Sequence, residues 1–600
     1  MSPAAVPLTD QPQALELESK SRTENVTFET MTHPPFSESR NVEAPVETSF
    51  PLALSHSSKI SFLSFPFEIA AKIFLHCLID NAEPDIHSAP LLLGRICRHW
   101  RSVALSSPEL WTCFSRTIHI TCGRGFLEVS PSRYASLLEV LQLWLSRSAT
   151  RPLKLTIRYE GIRIQPLPSP IHRLLLQHAD RWEHITLGLP RSDLVELFEK
   201  FTGGFPLLRS LVIRVPYRGD HRVVSSPNFA PLLNSAQLRW QTLDVSRHCP
   251  KPALCGIHWA SLTSFMGLEL SPSDAHELLS LSPSLRECHM TCAPGLHESP
   301  STPYLPVLLP ELREFSWSHF SALTYLTSPA LERLAEPDIS NHTIQDFLDF
   351  LRRSHCPLAY LSAFAQSLDN AYFPDLFAAL PHLVELNLRL GSFRNPPSGP
   401  CIPVRLPELR ILSGNHVLAY LTAPALKRLW GQDISNRMVQ HLVDFLLRSH
   451  CPLTYLSASA ESLDKARLPD LFAALPHLVE MCLNFRQEVS PVPVVSILHG
   501  QNHHLPQLTT LKLSTLIRHA EVEMYETIVS MLTSRTESNG VARLRSFKHD
   551  DLFILHTPGV LPLGTQVVEG VKALVKAGVD IAFEGYDEEM APRRIHVDSL

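Results

Sequence analysis

The side chains best suited to do chemistry are a repeated pair, His355-Cys356 and again His450-Cys451. A cysteine next to a base suggests a thiolate nucleophile, which requires the imidazole to reach the sulfur in space. Neighbouring residues on a strand point to opposite faces, so this placement predicts no such contact. Duplication of the pair also favours an architectural role, since one active site has no need of two identical copies. The closest approach to metal-ligand spacing is Cys288 and Cys292 with His289 between them, and the further ligands of a structural zinc site do not accompany it. There is no Gly-x-Ser-x-Gly elbow, no phosphate loop ending in Gly-Lys-Ser/Thr and no His-Glu-x-x-His, and Gly123-Arg124-Gly125 stops short of a dinucleotide fingerprint. The 30 histidines, His503-His504 included, are dispersed, which fits solvent-facing or hydrogen-bonded rings better than a metal or pH-sensing cluster. No catalytic residue, metal or cofactor is expected.

The bulk properties set the frame in which these residues sit. With 600 residues, 44% of them hydrophobic, and a mean hydropathy of +0.02, the chain can bury a large core. A net charge of -6 and a pI near 6.6 leave no electrostatic footprint for nucleic acid or an anionic membrane, so the expected partner is a protein. Proline outnumbers glycine 50 to 22, which points to many short elements separated by rigid turns. Twelve scattered cysteines without a Cys-x-x-Cys pair suit a reduced, intracellular setting, cytoplasmic or nuclear. Residues 1–13 lack the basic and apolar regions of a secretory signal. The most apolar stretch, 60–79, contains Pro66, Glu68, Lys72 and His76 and reads as a buried helix rather than a membrane span.

Residues 1–57 are rich in Ser, Thr, Pro and Glu without sustained apolar periodicity and are expected to be a disordered tail. A helical module follows over 58–115. Its apolar residues Phe65, Ile69, Ile73, Phe74, Cys77 and Leu78 share one helical stripe, with Pro66 suited to the first turn. After a polar connector, 80–90, the spacing predicts a second helix over 91–105.

From 116 to about 585 one signature recurs: apolar, two others, apolar, one other, apolar. It appears as Leu208/Leu211/Ile213, Leu383/Leu386/Leu388 and Leu508/Leu511/Leu513, with looser matches that include Trp182, Trp240, Leu262, Leu331, Leu426 and Leu453. Most starts lie about 22 to 30 residues apart, the spacing of leucine-rich repeats. Residues 323–388 recur as 418–483, an offset of about 95 residues with about two thirds of positions identical, including Arg353-Ser354-His355-Cys356-Pro357-Leu358. Duplication in phase preserves a stack of units, each buried only against its neighbours. The fold class expected is α/β: a small all-helical module followed by a solenoid of short parallel strands alternating with helices, then a tail over 586–600. Leu383, Leu386 and Leu388 should point inward, and helices over 343–352 and 438–447 should cover the repeats. Candidate outward positions for a protein target are Glu385, Asn387, Arg389, Glu480, Asn484, Thr510 and Lys512. Residues 567–583 read as a final helix with Gly578 at its C-terminal cap and a closing strand.

Three motif segments resemble the F-box family. Phe65-Pro66-Phe67-Glu68-Ile69, followed by Ile73-Phe74, is similar to its opening; Ile96-Cys97-Arg98-His99-Trp100 to its second half; and Ser107-Pro108-Glu109-Leu110-Trp111 to its close in fungal members. The resemblance covers about 50 residues. It implies a module that binds the Skp-family adaptor, and through it the cullin, of a ubiquitin ligase. The repeats would then hold a target protein for ubiquitin conjugation. It implies contact or support of the adaptor by Phe65, Pro66, Glu68, Ile69, Ile73 and Phe74, with Trp100, Leu110 and Trp111 holding the module together. The alternative is a non-ligase interaction scaffold with a degenerate F-box.

Overall fold

The computed structural model describes residues 65–79, 83–119, 131–160, 169–189, 193–194, 196–197, 205–214, 242–246, 259–292, 304–317, 321–365, 367–390, 402–414, 417–434, 438–460, 466–485, 489–499, 503–515, 522–538, 540–551, 565–586 and 592–595. The expected N-terminal tail over 1–57 and the repeat start at Trp240 lie outside these residues.

Helix α1 (Phe67–His76) begins at Pro66, whose carbonyl accepts from the amides of Ile69 and Ala70. Proline fits there because its missing N–H is one the helix start leaves unpaired. The expected second helix is two: α2 (Leu93–Ile96) and α3 (Arg98–Ser106), broken at Cys97, which is extended. The Cys97 sulfur accepts from Trp100 N at 3.4 Å and so caps α3, a local competition with the helix that apolar spacing does not reveal. Phe74 packs on Trp100 with ring centroids 5.0 Å apart, and Ala70, Leu93, Val103, Leu110 and Trp111 complete a small core.

The solenoid begins directly behind this module. Strand Cys113–His119 starts a 19-stranded sheet in which each strand pairs with the next along the chain. Every pairing is parallel until the last, where Asp580–Tyr586 meets Pro592–Ile595 antiparallel. The C-terminal stretch expected to be a tail therefore supplies the final strand, a short element whose Pro592-Arg593-Arg594 composition gave no strand signal. Register is set by the leucine signature. Leu361, Leu386, Leu412, Leu429, Leu456 and Met481 face one another across successive strands, all essentially buried. Each such side chain contributes about 1.5–3 kcal/mol through burial, and only its neighbours provide the cover. Helices Ile344–Ser354 and Val439–Ser449 lie where the spacing put them, as do helix Thr565–Lys576 and Gly578, whose φ of 88° is the left-handed value expected after a helix.

The shared Arg353-Ser354 string acquires a physical reason in the fold. Arg353 Nη2 donates to the carbonyls of Leu323 and Leu326, at 2.7 and 3.1 Å, and Arg448 makes the same bonds to Leu418 and Leu421. Ser354 and Ser449 accept from the amides of Ser328 and Ala423. Arg181 and Arg535 repeat the device at either end of the solenoid, bonding carbonyls of the preceding unit. The duplication also extends upstream of 323. Leu309-Pro310-Glu311-Leu312-Arg313 recurs as Leu406-Pro407-Glu408-Leu409-Arg410, two residues further apart than the remainder (309 to 406 against 323 to 418). Both copies form the same small parallel ribbon, Val307–Leu308 with Leu326–Thr327 and Val404–Arg405 with Leu421–Thr422.

Candidate interaction surfaces

The first surface belongs to the helical module. Of 17 large apolar side chains left exposed among the described residues, eight fall between Phe67 and Leu105, among them Phe67, Ile69, Leu75, Leu92 and Ile96. That concentration in so short a stretch is denser than along the rest of the described residues. The residues expected to meet a partner divide. Pro66, Glu68 and Ile69 are exposed, Phe65 and Ile73 are half-buried, and Phe74 is fully buried against Trp100, so Phe74 supports the module from within instead of contacting a partner. Leu110 and Trp111 are buried. Trp111 Nε1 donates to the Ala104 carbonyl at 2.8 Å, and its ring meets Trp144 edge-on at 4.8 Å, fastening the module to helix Pro131–Arg147. Trp144 in turn donates to the Cys113 carbonyl of the first strand. A cavity of about 700 Å³, lined by Pro84, Ile86, Leu91, Phe114, Tyr134 and Trp144 among others, lies behind this junction.

The second surface is the strand face opposite the helices. Inward Leu383, Leu386 and Leu388 are buried, while Glu385 and Asn387 are half-buried and Arg389 is exposed. Glu480, Thr510 and Lys512 are likewise half-buried and Asn484 is exposed, so all seven candidate positions lie on this face. Lys512 is engaged in an ion pair with Asp550 at 2.6 Å, and Arg389 lies 4.9 Å over the Phe364 ring.

Aromatic–arginine pairs that the repeat signature does not mark lie on the same face: Arg333 over Tyr360 at 4.0 Å, and Arg428 over Tyr455 at 4.6 Å with Trp430 at 5.5 Å. The available signal was position, because these residues flank the inward Leu334, Leu361, Leu429 and Leu456 of the repeat signature. Arginine, tryptophan and tyrosine are the types that dominate binding energy at protein interfaces.

The His-Cys pairs are not on strands, which corrects their expected placement. His355 and His450 follow helices in the left-handed conformation, each with φ of 47°, and the cysteines come next in the turn. Burial pushes the thiols of Cys356 and Cys451 up to about 11, opposite to the shift an activated nucleophile shows. Cys288 is buried on strand Glu287–Cys292, with its thiol raised by desolvation. Among the described residues no group of three or more His, Cys, Asp or Glu side chains is arranged to hold a metal ion, and no helix is long and apolar enough to cross a membrane.

No protein-family model matches the chain, and no curated protein matches it.

Proposed function

We propose that the chain is a substrate-recognition adaptor of a Skp-cullin-F-box type ubiquitin ligase. In this reading the helical module docks on the Skp-family adaptor and the strand face holds a protein target. The observation that carries it is the apolar rim around the proline-started helix α1: Pro66, Phe67 and Ile69 stay in solvent on a module whose rear is anchored by Trp111. A helix that offers aliphatic and aromatic anchors in this way suits a partner's groove, where burial of a few such side chains provides most of the affinity. The resemblance of the three motif segments to the F-box supplies the identity of the groove. The polar and aromatic positions of the strand face suit a protein target better than a small molecule, which requires an enclosed site.

The test is co-expression of the full chain with a Skp-family adaptor and recovery of the complex. The wild type is expected to co-purify, and the double variant Pro66→Ala, Ile69→Ala to lose at least ten-fold in recovery while its thermal midpoint changes little. Undiminished recovery of the double variant would defeat the reading.

A further inference from the structure

The strand face carries one arrangement twice, and two substitutions open the second copy. In the first, Arg333 lies over the Tyr360 ring, and its Nε is 3.7 Å from a carboxylate oxygen of Glu314, its partner on the preceding strand. In the second, Arg428 lies over Tyr455 in the same way, but its partner on the preceding strand is Ile411. The other change is at the next outward position, where Ala335 of the first copy is replaced by Trp430, whose ring approaches the same guanidinium and meets Tyr455 edge-on at 6.1 Å. Among the described residues no carboxylate is paired with Arg428, and its buried Nε has no hydrogen-bond partner. The first copy is therefore a self-satisfied version of a site that the second leaves open.

We propose that Arg428, Trp430 and Tyr455 bind a side-chain carboxylate presented by an extended acidic segment of a partner protein. The inference rests on reading the strand face as the target-binding surface. Aromatic walls exclude water from a guanidinium without neutralising it, which strengthens the charge-assisted, forked hydrogen bonds it can give to a carboxylate. Glu314 against Arg333 supplies the precedent within the molecule, a carboxylate beside the equivalent stacked arginine. A carboxylate fits better than a phosphate dianion, because the site offers one guanidinium and Glu480 stands beside Tyr455 on the next strand. The successive parallel strands, about 4.8 Å apart, form a ribbon of surface along which an extended segment can run.

The test pans a display library of random 12-residue peptides against the full-length chain, then measures the selected peptides by fluorescence anisotropy. Selected peptides are expected to share an Asp or Glu, and replacing it by the amide should weaken binding at least ten-fold. Ile411→Glu, which restores the carboxylate of the first copy, should weaken binding at least ten-fold with little change in thermal midpoint. Arg428→Gln should do the same, and Arg333→Gln should leave binding within two-fold. Neutral or basic consensus peptides, peptides that bind only when phosphorylated, failure to select any binder, or indifference to both Ile411→Glu and Arg428→Gln would each overturn the proposal. Recovery of the Skp-family adaptor is measured on the same variants. Adaptor recovery with peptides indifferent to the variants rejects this site alone; acidic-peptide binding without adaptor recovery rejects the ligase reading alone.

Discussion

His549 sits in the wall between the last repeats with Thr515 Oγ1 at 3.2 Å and the Tyr525 ring edge-on at 5.8 Å. Burial lowers its pKa to about 4 and outweighs the neighbouring Asp550 carboxylate, which pulls the other way. Because the folded value lies below the unfolded one, the unfolded chain takes up a proton first. The resulting stability is fully present above about pH 6.5 and is lost as pH falls towards 4, a change of up to about 3 kcal/mol. A His549→Gln variant, which can still bond Thr515, is expected to lose less thermal stability than the wild type over that range; parallel melting curves at pH 4.5 and 7 check it. The two copies also show a single residue absorbing the same backbone demand differently. The bulged strands place Glu336 at φ 64° and Gly431 at φ 63°, and only the second copy has the residue type that adopts this without strain.

Elements hold to one another through the recurrent arginine. Arg535 is the most buried example: its guanidinium bonds the carbonyls of Leu498, His504 and Leu505, and desolvation lowers its pKa to about 10. Replacing it with methionine keeps the bulk but leaves those carbonyls unpaired, an expected loss of about 1–3 kcal/mol in denaturant unfolding. This device was not legible from apolar spacing, because a buried cation breaks the pattern by which helices are recognised. The strands themselves were legible, since Leu383, Leu386 and Leu388 alternate as a half-buried strand must. The break of the second helix at Cys97 was not, because it depends on a side-chain sulfur capping α3. Of the module's surface, the exposure of Ile69 was expected only from the motif resemblance, because apolar spacing puts it on one stripe with Phe74, yet of α1 only Ala70 and Phe74 are buried. The inward turn of Phe74 was not legible, because it depends on where Trp100 arrives from another helix.

At the scale of the molecule, the stack tolerates gain of units because each unit is covered only by its neighbours. Deleting 340–434, the 95 residues that separate Ile339 from its equivalent Ile434 with the latter included, rejoins the chain in phase (434 − 339 = 95). The shortened chain is expected to fold, with a cooperative thermal transition and a circular dichroism spectrum of wild-type shape; a deletion shorter by half a repeat should give neither. The strand face was only partly legible for a related reason. The signature marks which positions face outward, but not which of them assemble across adjacent strands into one site, as Arg428 and Trp430 do with Tyr455. A sheet made of identical parallel steps has, in principle, no reason to stop, and a bare end would template further chains. Here both ends are blunted. Glu83 reaches over to bond Arg116 and the Thr117 amide on the first strand, and the last is a short reversed strand that opens on Pro592 and carries Arg593 and Arg594. Growth by fusion of one molecule onto the next, the path from solenoid to fibre, thus meets a side-chain lid at one terminus and a strand of the wrong polarity at the other.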